Sequence, residues 1–176
     1  MSQKQLFKPS ISHTELKRKA MQTFFFDDSD LPFNRNGRLS DKQKQRFATN
    51  AKVGAAAFIL AGIILSAVIA WTLEEPPAQL TWLAPVLLIT GTFTGTGIFV
   101  YWLSARIYKS GIVKSVMGRA VFERGWSGMH LGWVLGIDGV YFQLENNFRQ
   151  IFVPDVQYKI YYVPSDNTIV SVELLD

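Results

Sequence analysis

The sequence predicts a membrane α-helical hairpin followed by a small all-β C-terminal domain, a barrel of OB or SH3-like type or a sandwich. Three observations carry that expectation. Two long stretches without charge lie in the middle of the chain. Cations crowd their outer flanks and are missing between them. Past Ile112 the apolar pattern changes from long blocks to short alternating runs separated by Gly, Asn, Pro and Asp. The expected organisation is an N-terminal segment over residues 1–50, the hairpin over 51–104 and the β-domain over 105–176.

The first stretch, Val53–Thr72, holds twenty residues and no charge. A helix rising 1.5 Å per residue over that length matches a hydrocarbon layer of roughly 30 Å. The second, Trp82–Leu103, is slightly longer and equally uncharged. Trp71, Trp82, Tyr101 and Trp102 stand at the ends of these runs, where aromatic rings favour the lipid–water boundary. Pro85 falls in the first turn of its helix, where a missing N–H costs little. Two buried helices of a soluble protein would need other long helices to cover them, and the sequence offers none.

The flanks orient the pair. Lys42, Lys44, Arg46 and Lys52 precede the first span, and Arg106, Lys109, Lys114 and Arg119 follow the second. The connecting loop, Leu73–Thr81, has no cation and carries Glu74 and Glu75 with Pro76 and Pro77. Retention of positive charge on the inner side predicts that both termini are cytoplasmic in a multi-pass protein of the inner (plasma) membrane. The first fifty residues contain no short apolar run with a small-residue cleavage site, so the first span is expected to act as an uncleaved anchor.

Small residues recur at helical spacing. Gly62, Ser66 and Ala70 share a face of the first helix, and Gly91 and Gly95 form a G-x-x-x-G in the second. The stripes serve either packing of the two helices on each other or association with a second copy or another membrane protein. Thr90, Thr92, Thr94 and Thr96 lend the second helix some polarity. Such hydroxyls usually bond back to their own helix, and neither span holds an ionisable group of the kind a proton relay or transporter uses.

Before the hairpin, residues 14–22 read as a short helix with Thr14 as N-cap. The apolar knot Phe24–Phe25–Phe26 serves as an interfacial anchor, a partner-binding peptide or a cluster packed on the C-terminal domain. Asn34–Arg38 is turn chemistry. Ser40 with Gln43 makes a capping box that opens a helix leading into the first span, setting Lys42, Lys44 and Arg46 among headgroups where anionic lipid attracts them.

After the hairpin, residues 116–122, 131–137, 140–144, 148–153, 158–163 and 169–174 are strand candidates. Asp138–Gly139 supplies the positive φ angles of a type I′ hairpin turn. Asn146–Asn147 marks a second turn and Pro164–Asn167 a third. Ile169, Ser171 and Glu173 alternate with Val170, Val172 and Leu174, so one face of the last run is apolar. A domain this small has a thin core and gains from docking on a partner.

Candidate chemistry is sparse. The chain has no cysteine, which excludes disulfides, thiolate metal sites, cysteine nucleophiles and S-acylation. His13 and His130 are its two histidines, and His130 has no carboxylate or second histidine near it in sequence, so no metal site and no cofactor is expected. The Gly-rich bend Arg124–Met129 lacks the Lys-Ser or Lys-Thr of a phosphate loop. Ser127 has no evident base, and Asp138 is explained by its turn. Tyr158, Tyr161 and Tyr162 interleave with Lys159 like a stacking platform for single-stranded nucleic acid. Alternation along a strand turns Tyr161 away from the other two, so packing is the better account. The net charge of +4 does not imply nucleic acid either, because the cations flank apolar segments. If the domain meets a partner, Trp126, His130, Tyr158, Tyr161 and Tyr162 are the expected surface.

Two stretches carry a resemblance. NRNGRLSDKQ (Asn34–Gln43) before the first span and YKIYYVPSDNTIVSVE (Tyr158–Glu173) at the end resemble an uncharacterised bacterial family of two-transmembrane-helix membrane proteins with a β-rich cytoplasmic tail. The plan of anchor and small barrel is also loosely similar to NfeD-type proteins. The resemblance implies the layout and brings no functional residue with it.

These readings lead to the expectation of a non-enzymatic accessory or scaffolding protein that touches the lipid bilayer and a membrane protein partner, or its own copies, and no nucleic acid. A membrane-tethered sensor or small-ligand module is the alternative, and an oligomeric small channel with its threonines inward is a further one.

Overall fold

A computed structural model of the chain describes residues 12–72, 83–127, 130–144, 151–153 and 156–175. It divides into two compact units, one over Met1–Ser40 with Ile112–Asp176 and one over Asp41–Gly111. The loop Leu73–Thr81, Trp82 and the Asn146–Asn147 turn lie outside the described residues.

The second unit is a pair of long helices. Helix α3 covers Asp41–Thr72 and α4 covers Leu83–Ser110. Both are long and apolar enough to cross a membrane. α3 starts twelve residues before the uncharged run because the segment DKQKQRFATNAK contains no helix breaker. Leu60, Ile63, Ile64 and Val68 on α3, with Leu87, Leu88, Ile98 and Phe99 on α4, are each more than half exposed. A core helix of a soluble protein buries such residues, and helices apolar all round belong in lipid or in a large interior.

The helices meet through part of the anticipated stripe. The Ser66 and Thr90 hydroxyls share a hydrogen bond of 2.6 Å. A Cβ added at Gly62 would stand 2.6 Å from the Phe93 Cβ, so α4 approaches as closely as a glycine permits. Ala70, by contrast, is exposed. Gly91 and Gly95 do not serve this contact, since nothing lies within 4 Å of a Cβ built at either. Thr90 and Phe93 do, with Gly97, whose added Cβ would lie 3.0 Å from the Ala55 carbonyl oxygen. Positions 90, 93 and 97 share one face at 3.6 residues per turn, and Gly91 is rotated about 100° away. Thr92 donates to the Leu88 carbonyl at 2.7 Å, the expected back-bonding. Phe47 and Tyr108 stack at 4.1 Å and 4°, tying the helices together beyond the uncharged runs.

The first unit is built from both ends of the sequence. Helix α1 (His13–Phe24) is capped by Ser12, whose hydroxyl accepts from the Glu15 N–H at 3.2 Å, so the cap falls two residues earlier than the expected Thr14. Phe25 ends it in the left-handed region at φ 53°. That turn sends Phe24 and Phe26 inward and leaves Phe25 exposed. The Phe24 ring lies 6.0 Å from that of Phe152, so the knot packs on the C-terminal part of the chain. Helix α2 (Leu31–Arg35) follows, with Pro32 in its first turn. Buried Asp30 holds this corner, accepting from the Asp27 N–H at 3.0 Å and from the Ser40 hydroxyl. The Gly37 carbonyl then accepts from the Val113 N–H at 2.9 Å, beside an antiparallel bridge between Arg38 and Ile112.

Among the described residues, six strands form two three-stranded antiparallel sheets. They are β1 (Lys114–Arg119), β2 (Val121–Ser127), β3 (His130–Ile137), β4 (Val140–Leu144), β5 (Gln157–Val163) and β6 (Thr168–Leu175), in the orders β1-β5-β6 and β2-β3-β4. Asp138 and Gly139 take φ of 47° and 76°, the type I′ turn anticipated between β3 and β4. The strands differ from expectation in three places. The run 116–122 is broken at Ala120, and Arg124–Ser127, read as a bend, pairs with β3 in register Gly125↔Gly132 and Trp126↔Leu131. Glycines facing each other leave no apolar alternation to read. Residues 151–153 of the fourth candidate form no strand, although Ile151 and Phe152 are buried.

The sheet β1-β5-β6 is covered from two directions. The Asn34 amide donates to the Ser171 hydroxyl at 2.7 Å, whereas Tyr162 meets Phe142 of β4 edge-on at 5.2 Å. Hence Ile169, Val170, Ser171 and Val172 are all buried, and β6 has no solvent face where one was expected.

Candidate functional site

A half-open groove of about 490 Å³ lies in the first unit, lined by residues of α1 (His13, Thr14, Lys17), α2 (Leu31, Arg35) and β6 (Val172, Glu173, Leu174). Leu16, Ala20 and Phe24 pack α1 inward, and His13 and Lys17, on the flank of the same helical face, border this opening. Leu31, Val172 and Leu174 supply its apolar lining and two ion pairs its charge. Arg35 Nε donates to Glu173 Oε1 at 2.7 Å, and Lys17 Nζ stands 2.7 Å from Asp28 Oδ1. The Arg35 hydrogen bond with Glu173, and then its charge, raise the guanidinium pKa further above its ordinary value. Arg35 is therefore a permanent cation, more than half exposed, held in place by a carboxylate that is itself largely covered.

Behind the groove, Asn34 Oδ1 and the Tyr161 hydroxyl are buried without a hydrogen-bond partner among the described residues. Tyr161 stands close enough to the Arg35 guanidinium to help raise its pKa, yet outside hydrogen-bonding geometry. Among the described residues, no cluster of three His, Cys, Asp or Glu side chains is placed to hold a metal ion. The groove can thus receive a partly apolar group with polar or charged atoms at its edge.

The three tyrosines of the expected partner surface are not exposed. Tyr158, Tyr161 and Tyr162 are buried at 0%, 1% and 8% exposure and belong to the core. The Tyr158 hydroxyl accepts from the Val153 N–H at 2.7 Å and donates to the Ile151 carbonyl at 3.3 Å, while its ring meets Phe152 edge-on at 5.1 Å. Trp126 and His130 have backbones in β2 and β3, and their side chains lie outside the described residues. Sequence reading missed the groove because its walls come from opposite ends of the chain. The Asn34–Ser171 bond that anchors α2 on β6 spans 137 positions. The one local signal was the amphipathic stretch 14–22.

Burial raises the Tyr158 pKa above the ordinary 10.0, against a smaller opposing effect of the Val153 N–H. Unfolded tyrosine gives up its proton from about pH 10, while the folded phenol keeps its own to higher pH. Stability from this group is therefore complete below pH 10 and is lost as pH rises through the folded pKa. Tyr158→Phe should cost about 1–2 kcal/mol at pH 8 through two unmade hydrogen bonds, and should flatten the alkaline loss. Urea melts of both proteins at pH 8 and 11 check this; equal losses in both would refute it.

A shallower apolar concavity of about 340 Å³ lies on α3, lined by Ile64, Ala67, Val68 and Trp71. Comparison of the chain with protein-family models, curated proteins and solved structures finds no match. The class of protein is accordingly defined by its own architecture: two helices of membrane-spanning length joined to a small β-unit that opens a charged groove.

Proposed function

We propose that the chain is a non-enzymatic accessory or scaffolding protein of a bacterial inner membrane, with both termini in the cytoplasm. Its hairpin is the anchor, and its soluble unit binds a segment of a protein partner in the groove between α1, α2 and β6. The observation that carries this reading is the groove itself, an apolar floor beside an immobilised, exposed Arg35. An arginine fixed by a covered carboxylate is preorganised for a partner's carboxylate or backbone carbonyl. The absence of cations from the loop between the spans supports the sidedness.

A membrane-tethered small-ligand module is the second reading, favoured by a groove volume within the usual range for small-molecule sites. A threonine-lined channel draws less support, because Thr90 and Thr92 spend their hydroxyls within the hairpin. Self-association or contact with another membrane helix finds support in the open face at Gly91 and Gly95.

The lack of cysteine makes the test clean. A single cysteine at exposed Thr14 should react with a membrane-impermeant maleimide in inverted vesicles and stay unlabelled in right-side-out ones. A thiol-to-amine crosslinker attached there in native membranes should give one discrete adduct, absent when the cysteine stands at Tyr141 on β4. Labelling from outside would overturn the sidedness. Recovery of the protein alone and as a monomer from both positions would overturn the partner reading.

A further inference from the structure

We infer that a partner's segment enters the groove as an extended strand laid along the outer edge of β6, with a side-chain carboxylate on Arg35. The inference rests on the reading that the groove binds a protein segment, and it names the form and chemistry of that segment. In the order β1-β5-β6, β6 has β5 on one side and, among the described residues, no strand on the other. In an antiparallel pair, alternate residues aim their N–H and C=O groups away from the neighbouring strand. An outer strand therefore carries a row of such groups that a further strand can take up. Residues 169–172 of β6 are buried, whereas residues 173–175 are half-buried. The accessible part of this edge is its C-terminal end.

The groove follows that end of the edge. Val172, Glu173 and Leu174 all line it, and consecutive side chains of a strand point to opposite faces of the sheet. An opening over one face would meet Val172 and Leu174, or Glu173 alone. One that meets all three straddles the edge. α2 covers the face of Ser171 and Glu173 through the Asn34–Ser171 and Arg35–Glu173 bonds, and Thr14 and Lys17 of α1 supply a further wall. The volume of about 490 Å³ holds about three residues of strand, at about 3.3 Å per residue, about 4.8 Å between strands and about 10 Å between layers. Lysine, proline and bulges are devices that keep an edge strand unpaired, and residues 172–175 have none of them. The register shift of this hairpin falls earlier, between Ile169 and Ser171.

Arg35 selects the side chain that such a strand presents. Its Nε donates to Glu173 Oε1 at 2.7 Å, and its two terminal nitrogens donate to no other group among the described residues. The side chain is more than half exposed, so that fork is open to a carboxylate arriving from the groove. The carboxylate then lies on the face of Glu173, and its two neighbours in the strand lie on the face of Val172 and Leu174. The recognised pattern is an acid between two apolar residues. The chain's own first eleven residues carry Lys4 and Lys8 and no acid, so charge does not select them as the occupant. A helix in the groove would leave the outward N–H and C=O groups of β6 unpaired beneath it, whereas an added strand satisfies them.

The test pans the full chain in detergent micelles against a phage-displayed library of random linear peptides, with Thr14→Trp as the counter-bait whose side chain fills the groove. Peptides that prefer the unaltered chain should share an Asp or Glu between apolar residues. Methylating alternate backbone nitrogens of such a peptide should weaken binding about tenfold in one register and leave it nearly unchanged in the other. Arg35→Gln should weaken the acidic peptide about tenfold. The acid-to-amide change in the peptide probes the same contact with the protein intact and should cost as much, and the two changes together should cost no more than either. Selected peptides that lack the acid, or that tolerate methylation in both registers, overturn the inference and leave the groove reading standing. A library in which no peptide distinguishes the unaltered chain from Thr14→Trp defeats the groove reading itself.

Discussion

Phe152→Ala is expected to remove about 3–5 kcal/mol from the first unit, enough to leave it largely unfolded. The ring is fully buried between Phe24 from the N-terminal segment and Tyr158 from β5. Its loss opens a cavity where the N-terminal segment meets β5 and the residues just before it. A unit of this size has only a modest margin to lose. Hydrogen exchange should show β5 and β6 amides losing protection together with those of α1, while the amides of α3 and α4 keep theirs. Retention of α1 protection in the variant would mean that the N-terminal helix is held by other contacts.

The second large effect is expected at Gly62. Leucine there would place its Cβ 2.6 Å from the Phe93 Cβ, before the rest of the side chain is added. Neither β-carbon can rotate away, so the helices must separate, and overpacking of this kind costs about 1–3 kcal/mol or more. The Ser66–Thr90 contact lies about one turn away and should break with it. Cysteines at 66 and 90 should therefore form a disulfide readily in the otherwise unchanged chain and poorly when Gly62→Leu is added. Gly91→Leu is the control, since its side chain enters open space. A disulfide yield unaffected by Gly62→Leu would disprove the close approach.

The contrast between those two glycines shows what a sequence pattern conveys. Both stripes were visible as small residues at helical spacing, and the pattern promises only that a close approach is sterically open. Which stripe is used depends on rotation of one helix about its axis. Large side chains such as Phe93 decide that rotation as much as the gaps do. Gly97 was passed over because it belongs to no G-x-x-x-G with Gly91 or Gly95.

In the β-unit, local signals were read where turn chemistry dominates. The Asp138–Gly139 and Pro164–Asn167 turns both stand as expected, and Asn167 takes the left-handed φ of 53° while its amide donates to the Tyr141 carbonyl at 3.1 Å. Strand β2 was half missed because Gly125 has no side chain to mark a face. The tyrosines of β5 read from the sequence as packing residues, and as a surface only if the domain meets a partner. Two directions of cover made them core, and neither cover is adjacent to them in sequence.

Sequence by itself determined the features that depend on one segment and its solvent: the length and uncharged character of two helices, the asymmetry of their flanking cations, and the turns that demand positive φ. These follow from backbone sterics and transfer free energies, which each segment carries with it. Tertiary structure alone decided which face of α4 meets α3, that residues 12–40 complete the β-unit, and that His13, Lys17, Arg35 and Glu173 border one groove. Those outcomes are set by side chains packing across more than a hundred positions, where shape complementarity and not local preference selects the neighbour.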